Sequence, residues 1–342
     1  MQIESYLEQE TGCREEQQDY IAWKSLPPHH SLFVLADGMG GHAGGREAGR
    51  TVGNEFIAYL TEHLSEENPE ELLRQALSRA NLALARAVEE RPELAGMGTT
   101  LIALLLDDRD GTYHYISVGD SPLYLCGNGG LRRINANHAF AEDLKKMVAA
   151  GEISREVAQH HPARHAVTSA VTGGDIRLID LQSGRLAGGQ TLLLASDGIQ
   201  TLDDGPGGEI EALLGAESTS PLAETGRKLL DQVLAKEKPR QDNASLILVR
   251  IEGQAEIPAT EILTDSRPTQ VNLSPPAPNP PAGDAPPKKR LLPVLALGIA
   301  IGAAAAASAA AFWWWQQKRH KPPLHPPHIE LPKPTRESAP LP

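Results

Sequence analysis

Short apolar runs separated by polar turns dominate the first 252 residues, and they alternate with longer segments of helical period. Residues 32–36 (Leu-Phe-Val-Leu-Ala), 99–106, 112–118, 123–126, 191–195 and 245–251 have strand length and strand composition. Residues 107–111 read as the turn between the second and third of these, and 177–181 as one more strand. Residues 70–89 place Leu72, Leu73, Ala76, Leu77, Ala80, Leu84 and Val88 on one face, behind Pro69 at a helix start. Residues 47–64, 139–150 and 221–234 are read as further helices. The pattern alone specifies a mixed α and β domain.

The polar residues that end these runs carry the chemistry. Asp37 follows Leu32-Phe-Val-Leu-Ala36, Asp120 follows Ile116-Ser-Val-Gly119, and Asp197 follows Leu192-Leu-Leu-Ala-Ser196. Asp242 instead precedes an apolar run, at 245–249. Carboxylates at strand ends, beside glycines that free the backbone, converge on hard cations, and Mg²⁺ and Mn²⁺ favour oxygen donors while keeping several waters. A single Asp-Gly pair equally marks a turn, and Asp120 alone would serve as a hairpin cap. The full set points to a two-metal hydrolase.

The order of the motifs resembles the metal-dependent protein serine/threonine phosphatases, the PPM or protein phosphatase 2C family, in their bacterial form. The resemblance covers roughly residues 5–251. It runs through Gly12-Cys-Arg-Glu-Glu-Gln-Gln-Asp19, Asp37-Gly-Met-Gly-Gly-His42, Gly96-Met-Gly-Thr-Thr-Leu101, Val118-Gly-Asp-Ser121, Leu194-Ala-Ser-Asp-Gly198 and Asp242-Asn243. Asn137-His138 and the stretch 151–162 look like that family's mobile flap. The resemblance implies an α+β fold, a four-layer α-β-β-α sandwich of two antiparallel sheets flanked by helices. It implies hydrolysis of phosphoserine and phosphothreonine on proteins by a metal-activated water at a binuclear Mn²⁺ or Mg²⁺ site. Asp37 would bridge the two ions, the Gly38 carbonyl would bind the second, and Asp197 and Asp242 would complete the first. Asp120 with Asp197 would hold a third, weaker ion. Arg14 would grip the substrate phosphate, and Asp19 would hold a metal-bound water.

The chain departs from the family at several positions. Gln18 stands where some relatives place a glutamate, Met39 where eukaryotic members have a histidine, and Pro122 where an arginine usually follows Gly-Asp-Ser. Asn137 replaces an aspartate, and Ser169 an arginine. None removes a principal ligand. A weakened metal site would leave a phosphoprotein-binding pseudo-phosphatase scaffold at the membrane, and a nucleotide phosphodiesterase shares the two-metal logic without the motif order. The glycines at 40, 41, 44 and 45 lack the Gly-Lys-Ser/Thr ending of a P-loop.

Charge is uneven. The chain carries −12, of which residues 253–342 contribute +3, leaving −15 on residues 1–252. An acidic domain excludes nucleic acid as the expected partner, since phosphates need a basic face. Cys13 and Cys126 are the only cysteines, without CxxC spacing, so neither a zinc knot nor a disulfide framework is expected.

Residues 1–252 are expected to form the phosphatase-like domain, without a signal peptide. Residues 253–290 read as a proline-rich linker with a basic end. Residues 291–315 are uncharged, span about 37 Å as a helix, and end in Trp313-Trp-Trp315. They are expected to cross the cytoplasmic (inner) membrane once, with the domain in the cytoplasm and the basic, proline-rich residues 316–342 beyond. The expected partners are phosphorylated Ser/Thr proteins, the membrane, and a Hanks-type kinase as counterpart.

Overall fold

The compact apolar runs become strands buried on both faces, which is why they read as continuous rather than alternating. A computed structural model describes residues 2–64, 68–127, 129–216 and 220–252. The expected linker, the span at 291–315 and the tail lie outside these residues. Among the described residues, no helix is long and apolar enough to cross a membrane.

In chain order the domain runs β1 (Gln2–Glu10), β2 (Tyr20–Leu26), β3 (His30–Ala36), β4 (Gly38–Met39), α1 (His42–His63) and α2 (Pro69–Glu90). Then follow β5 (Gly98–Thr99), β6 (Leu101–Asp107), β7 (Thr112–Val118), β8 (Leu123–Gly127), β9 (Gly130–Arg133), α3 (Phe140–Ala149) and α4 (Arg155–Gln159). It closes with β10 (Asp180–Arg185), β11 (Thr191–Ala195), α5 (Glu209–Ala216), α6 (Leu222–Ala235) and β12 (Ala244–Glu252). One antiparallel sheet has the order β1-β12-β11-β8-β9 and the other β10-β7-β6-β3-β2, while β4 pairs only with β5.

Strand alternation sorts the apolar side chains into three cores. Between the sheets, Phe33, Leu35, Ile102 and Leu104 meet Leu123, Leu192, Leu194, Ile247 and Val249. The alternate residues Leu32, Val34, Ala103 and Leu105 face outward and are covered by Val52, Phe56 and Leu60 of α1 and Leu73 and Leu77 of α2. On the opposite outer face, Leu193, Leu246 and Leu248 receive Ile210 and Leu214 of α5 and Leu229, Leu230 and Val233 of α6. Each Val, Leu, Ile or Phe among them contributes about 1.5–3 kcal/mol on full burial. The result is the four-layer α-β-β-α sandwich expected from the resemblance.

Strands β1, β2 and β9 and helices α4 and α5 were not expected, and three of the expected elements differ from their sequence reading. Helix α1 starts at His42 rather than 47, through glycines that are poor helix formers. Its first turn passes over the β3–β4 junction so closely that a Cβ on Gly38 would lie 2.0 Å from the Gly45 carbonyl oxygen. Tertiary fit, not propensity, sets this helix start. The run 99–106 divides at Thr100: Thr99 pairs with Gly38, and Leu101 onward joins the large sheet. The strand expected at 177–181 lies at Asp180–Arg185, where buried Asp180 accepts from the Tyr115 hydroxyl at 3.0 Å and the Ala136 amide at 2.7 Å.

Candidate active site

Antiparallel register brings the aspartates to one end of the sandwich. In one sheet, Leu35 pairs with Ile102 and Leu101 with Val118, so Asp37, Thr100 and the Gly119–Asp120 turn emerge side by side. In the other, Ala195 pairs with Leu246, so the turn carrying Asp197 emerges beside Asp242. Between the two sheet ends lies a cavity of about 330 Å³, lined by Asp37, Gly38, Asp120, Asp197, Asp242 and Arg14 among others. All five metal-ligand candidates and the phosphate-binding candidate therefore share one cavity. Asp19 sits behind it, 7% exposed, and accepts a 2.6 Å hydrogen bond from the Ser245 hydroxyl.

Short-range bonds fix each carboxylate's backbone. The Asp37 amide donates to the Thr100 hydroxyl at 3.0 Å, and the Asp37 carbonyl accepts from the Thr100 amide and the Thr99 hydroxyl, each at 2.9 Å. The Thr100 hydroxyl also meets that of Ser121 at 2.8 Å, linking the Asp37 and Asp120 turns. Sequence reasoning assigned these threonines no role, although Gly96-Met-Gly-Thr-Thr-Leu101 was among the recognisable motifs. Asn243 is a second such residue. Its side-chain oxygen accepts from the Gln18 backbone amide at 2.9 Å, and its side-chain NH2 donates to the backbone carbonyls of Thr11 at 2.9 Å and Glu16 at 3.1 Å. It thereby holds the loop that carries Arg14. Gly198 allows the Asp197 turn to reach β12, since a Cβ there would stand 2.0 Å from the Asn243 carbonyl oxygen.

Arg14 spans the mouth of the cavity. Its Nε and Nη2 donate to the two Asp242 oxygens at 2.7 and 2.6 Å, with the Arg14 side chain 56% exposed. Gln18 lines the same cavity, and Ser169 is spent on the backbone of Leu178, donating to its carbonyl at 2.8 Å. The side chain of His42 lies outside the described part of the chain.

Electrostatically the site is a concentration of negative charge. Desolvation and then the charges of Asp19, Asp197, Asp120 and Asp242 push the Asp37 carboxyl well above the ordinary range. Asp197 opens to the cavity, yet desolvation and then Asp120, Asp242 and Asp19 push it up to about 7. Burial raises Asp19 to about 6, against the hydrogen bonds from Ser245 and Ser196. Burial raises Asp120 as well. Such a cluster binds either protons or cations. Its donors are all oxygens, the chemistry of Mg²⁺ and Mn²⁺. Among the described residues, no three acidic, histidine or cysteine side chains gather at a single metal point. Waters and the Gly38 carbonyl would have to complete any shell, as these two ions prefer. The residues fit hydrated divalent cations.

The model of the family described as protein phosphatase 2C matches residues 14–244. This chain belongs to the protein phosphatase 2C family. Within it, the chain is 35% identical over 227 residues to the serine/threonine protein phosphatase PstP of Mycobacterium tuberculosis, covering 64% of this chain and 40% of that protein. The chain thus spans less than half the length of that relative. It is 30% identical over 226 residues to the serine/threonine phosphatase stp of Listeria monocytogenes, covering 64% of this chain and 83% of that protein. A crystal structure of the catalytic domain of PstP with two manganese ions superposes with a TM-score of 0.55 at 28% identity, covering 72% of this chain and 97% of that one. The protein phosphatase 2C match ends before residue 253, inside the domain boundary expected from the sequence.

Proposed function

We propose that this chain hydrolyses phosphoserine and phosphothreonine on proteins at a binuclear divalent-metal centre. The observation that carries the reading is the meeting of Asp37, Asp120, Asp197 and Asp242, from both sheets, with Arg14 in one cavity of about 330 Å³. Asp37, the Gly38 carbonyl, Asp197 and Asp242 would hold two Mn²⁺ or Mg²⁺ ions, and Asp120 with Asp197 a third. When bound, such ions supply Lewis acidity and lower the pKa of water for in-line attack on phosphorus. The chain's own contributions follow from its geometry. Arg14, exposed at the rim with a planar fork of donors, matches the oxygens of a phosphate monoester. Asp19, buried behind Asp37 and fixed by the Ser245 hydroxyl, would hold a water bound to the ions. Thr99, Thr100 and Asn243 hold the loops that carry these groups, and Arg14 would turn its fork from the Asp242 oxygens to the phosphate as Asp242 takes up an ion.

The relatives' names as serine/threonine phosphatases, and the two manganese ions of the PstP catalytic domain, support the substrate class and the cofactor. Gln18, a neutral amide at the cavity wall, is the observation that favours the second reading, a phosphoprotein-binding scaffold without turnover. Hydrolysis of a phosphothreonine peptide, with a phosphodiester as control, separates the two. Turnover of the monoester alone, lost in Asp37→Ala and Asp197→Ala with the fold retained, supports the phosphatase. Binding without turnover supports the scaffold.

The same proposal includes a place in the cell. Residues 253–290 tether the domain to a single span at 291–315 in the cytoplasmic membrane, with the catalytic domain on the cytoplasmic side. The uncharged stretch, its tryptophans and its basic flanks support this. The tether raises the effective concentration of membrane-bound substrates. Because the substrates are phosphorylated on Ser or Thr, a Hanks-type protein kinase is the counterpart.

A further inference from the structure

Besides its contact with Thr100, the turn Gly119-Asp120-Ser121 is held by the last residue of β9 and the connector from β9 into α3. Arg133 Nη2 donates to the Asp120 carbonyl at 2.8 Å and the Ser121 carbonyl at 3.2 Å, and its Nε donates to the Asn135 side-chain carbonyl at 3.0 Å. Asn135 donates from its amide to the Ser121 carbonyl at 2.9 Å and accepts from the Leu123 amide at 2.8 Å. His138 closes the ring on both sides of Gly119. Its Nδ1 accepts from the Gly119 amide at 3.1 Å, and its own amide donates to the Gly119 carbonyl at 3.1 Å.

The His138 ring has no other polar task. It is 3% exposed, and its Nε2 has no hydrogen-bond partner among the described residues. Burial holds the imidazolium down at about 4, so the ring is neutral and Nδ1 is free to accept. A buried donor nitrogen left without a partner is costly, so packing alone gives no reason for histidine here. The His138 carbonyl, in turn, accepts from the Thr168 amide at 2.7 Å and the Thr168 hydroxyl at 2.8 Å. Ala139 bridges Val167 immediately beyond, closing the neck of the α3–α4 segment. One residue therefore fastens that neck to the turn that aims Asp120 into the cavity.

We propose that His138, supported by Arg133 and Asn135, is the positioning residue for Asp120, fixing its turn through the Gly119 amide so that the Asp120 carboxylate can hold the weakest of the bound ions. The inference rests on the reading of Asp120 as a metal ligand. It predicts that one feature of the ring matters, an acceptor at the Nδ1 position. Asn places a side-chain oxygen near that position, whereas Gln places one nearer Nε2.

The test is a Mn²⁺ titration of the full chain, with free Mn²⁺ read by electron paramagnetic resonance, together with hydrogen exchange at the Gly119 amide. Asp120→Ala serves as reference and is expected to lose the weakest ion class. His138→Leu and His138→Gln are expected to weaken that class alone, by about tenfold, in the range for residues that orient metal ligands, and to speed Gly119 exchange. His138→Asn is expected to stay close to wild type in both. Should His138→Leu fail to fold, the near-isosteric Asn and Gln pair carries the comparison. Unchanged ion binding in folded His138→Leu, or equal losses in the Asn and Gln variants, overturns the positioning role. An Asp120→Ala chain that keeps every ion class overturns the metal reading of Asp120 itself, and the proposal with it.

Discussion

Gly198→Ala tests the geometry of the site without touching a ligand. The added Cβ would stand 2.0 Å from the Asn243 carbonyl oxygen, 2.8 Å from its carbon and 3.0 Å from the Ala244 Cα, all backbone atoms that cannot swing away. Relief requires the Asp197 turn and the start of β12 to separate by about 1 Å, judged against ordinary non-bonded contact distances. Two bonds oppose this: the Ser196 amide to the Ser245 carbonyl at 3.0 Å, and the Ser245 amide to the Ser196 hydroxyl at 2.9 Å. Overpacking at about 1–3 kcal/mol plus two strained hydrogen bonds at about 0.5–1.5 kcal/mol each gives a loss of roughly 2–6 kcal/mol. The same shift moves Asp197 away from Asp242, and a misplacement near 1 Å can cost about 100-fold in rate. Urea denaturation measures the first effect, and kcat/KM on a phosphothreonine peptide with the Mn²⁺ binding isotherm measures the second. A variant with wild-type stability, turnover and ion affinity would refute the claim that close approach of these two turns builds the site.

Further outcomes follow from the same contacts. Arg14→Ala should raise KM for a phosphopeptide by about 10- to 100-fold, the worth of a charge-assisted bidentate contact, and Arg14→Lys should recover only part of it; equal KM values would remove Arg14 from phosphate binding. Thr100→Val leaves the Asp37 amide without its acceptor and should cost about 1–3 kcal/mol with a matching fall in turnover, read by thermal denaturation and kcat. Asp19 and Asp197 are raised to about 6 and 7, so the folded, metal-free chain binds more protons than the unfolded chain from about pH 4 to pH 7. These groups therefore make the metal-free domain less stable as pH rises through that window, and Mn²⁺ affinity should rise over the same interval. Melting curves at pH 5 and pH 8, with Mn²⁺ and with chelator, check both signs; a metal-free melting temperature that climbs with pH would contradict the first.

The aspartates were legible in the sequence because each ends, or precedes, a run buried on both faces, and such runs stand out as uninterrupted apolar residues. The layers followed from the same runs once the motif order was recognised. Strands β1 and β2 were not legible. They lie at sheet edges, and segments such as Glu4-Ser-Tyr and Trp23-Lys-Ser mix polar and apolar residues without a decisive period. The supporting residues were hidden for a different reason. Thr100, Asn243 and His138 act through backbone amides and carbonyls far away in sequence: Asn243 reaches Thr11, and His138 reaches Gly119. Sequence gives a polar residue's type but not its partner. The departures at Pro122 and Ser169 likewise acquire a context only in the fold, where the turn before Pro122 is gripped by Arg133.

The most direct measurement is phosphate release from a phosphothreonine peptide by the full chain, with Mn²⁺ and again with excess chelator. Turnover that appears with Mn²⁺ and vanishes on chelation is the predicted result, because the carboxylates need cations to bring phosphate and water together. A folded, Mn²⁺-saturated chain that binds the peptide without releasing phosphate would contradict the account.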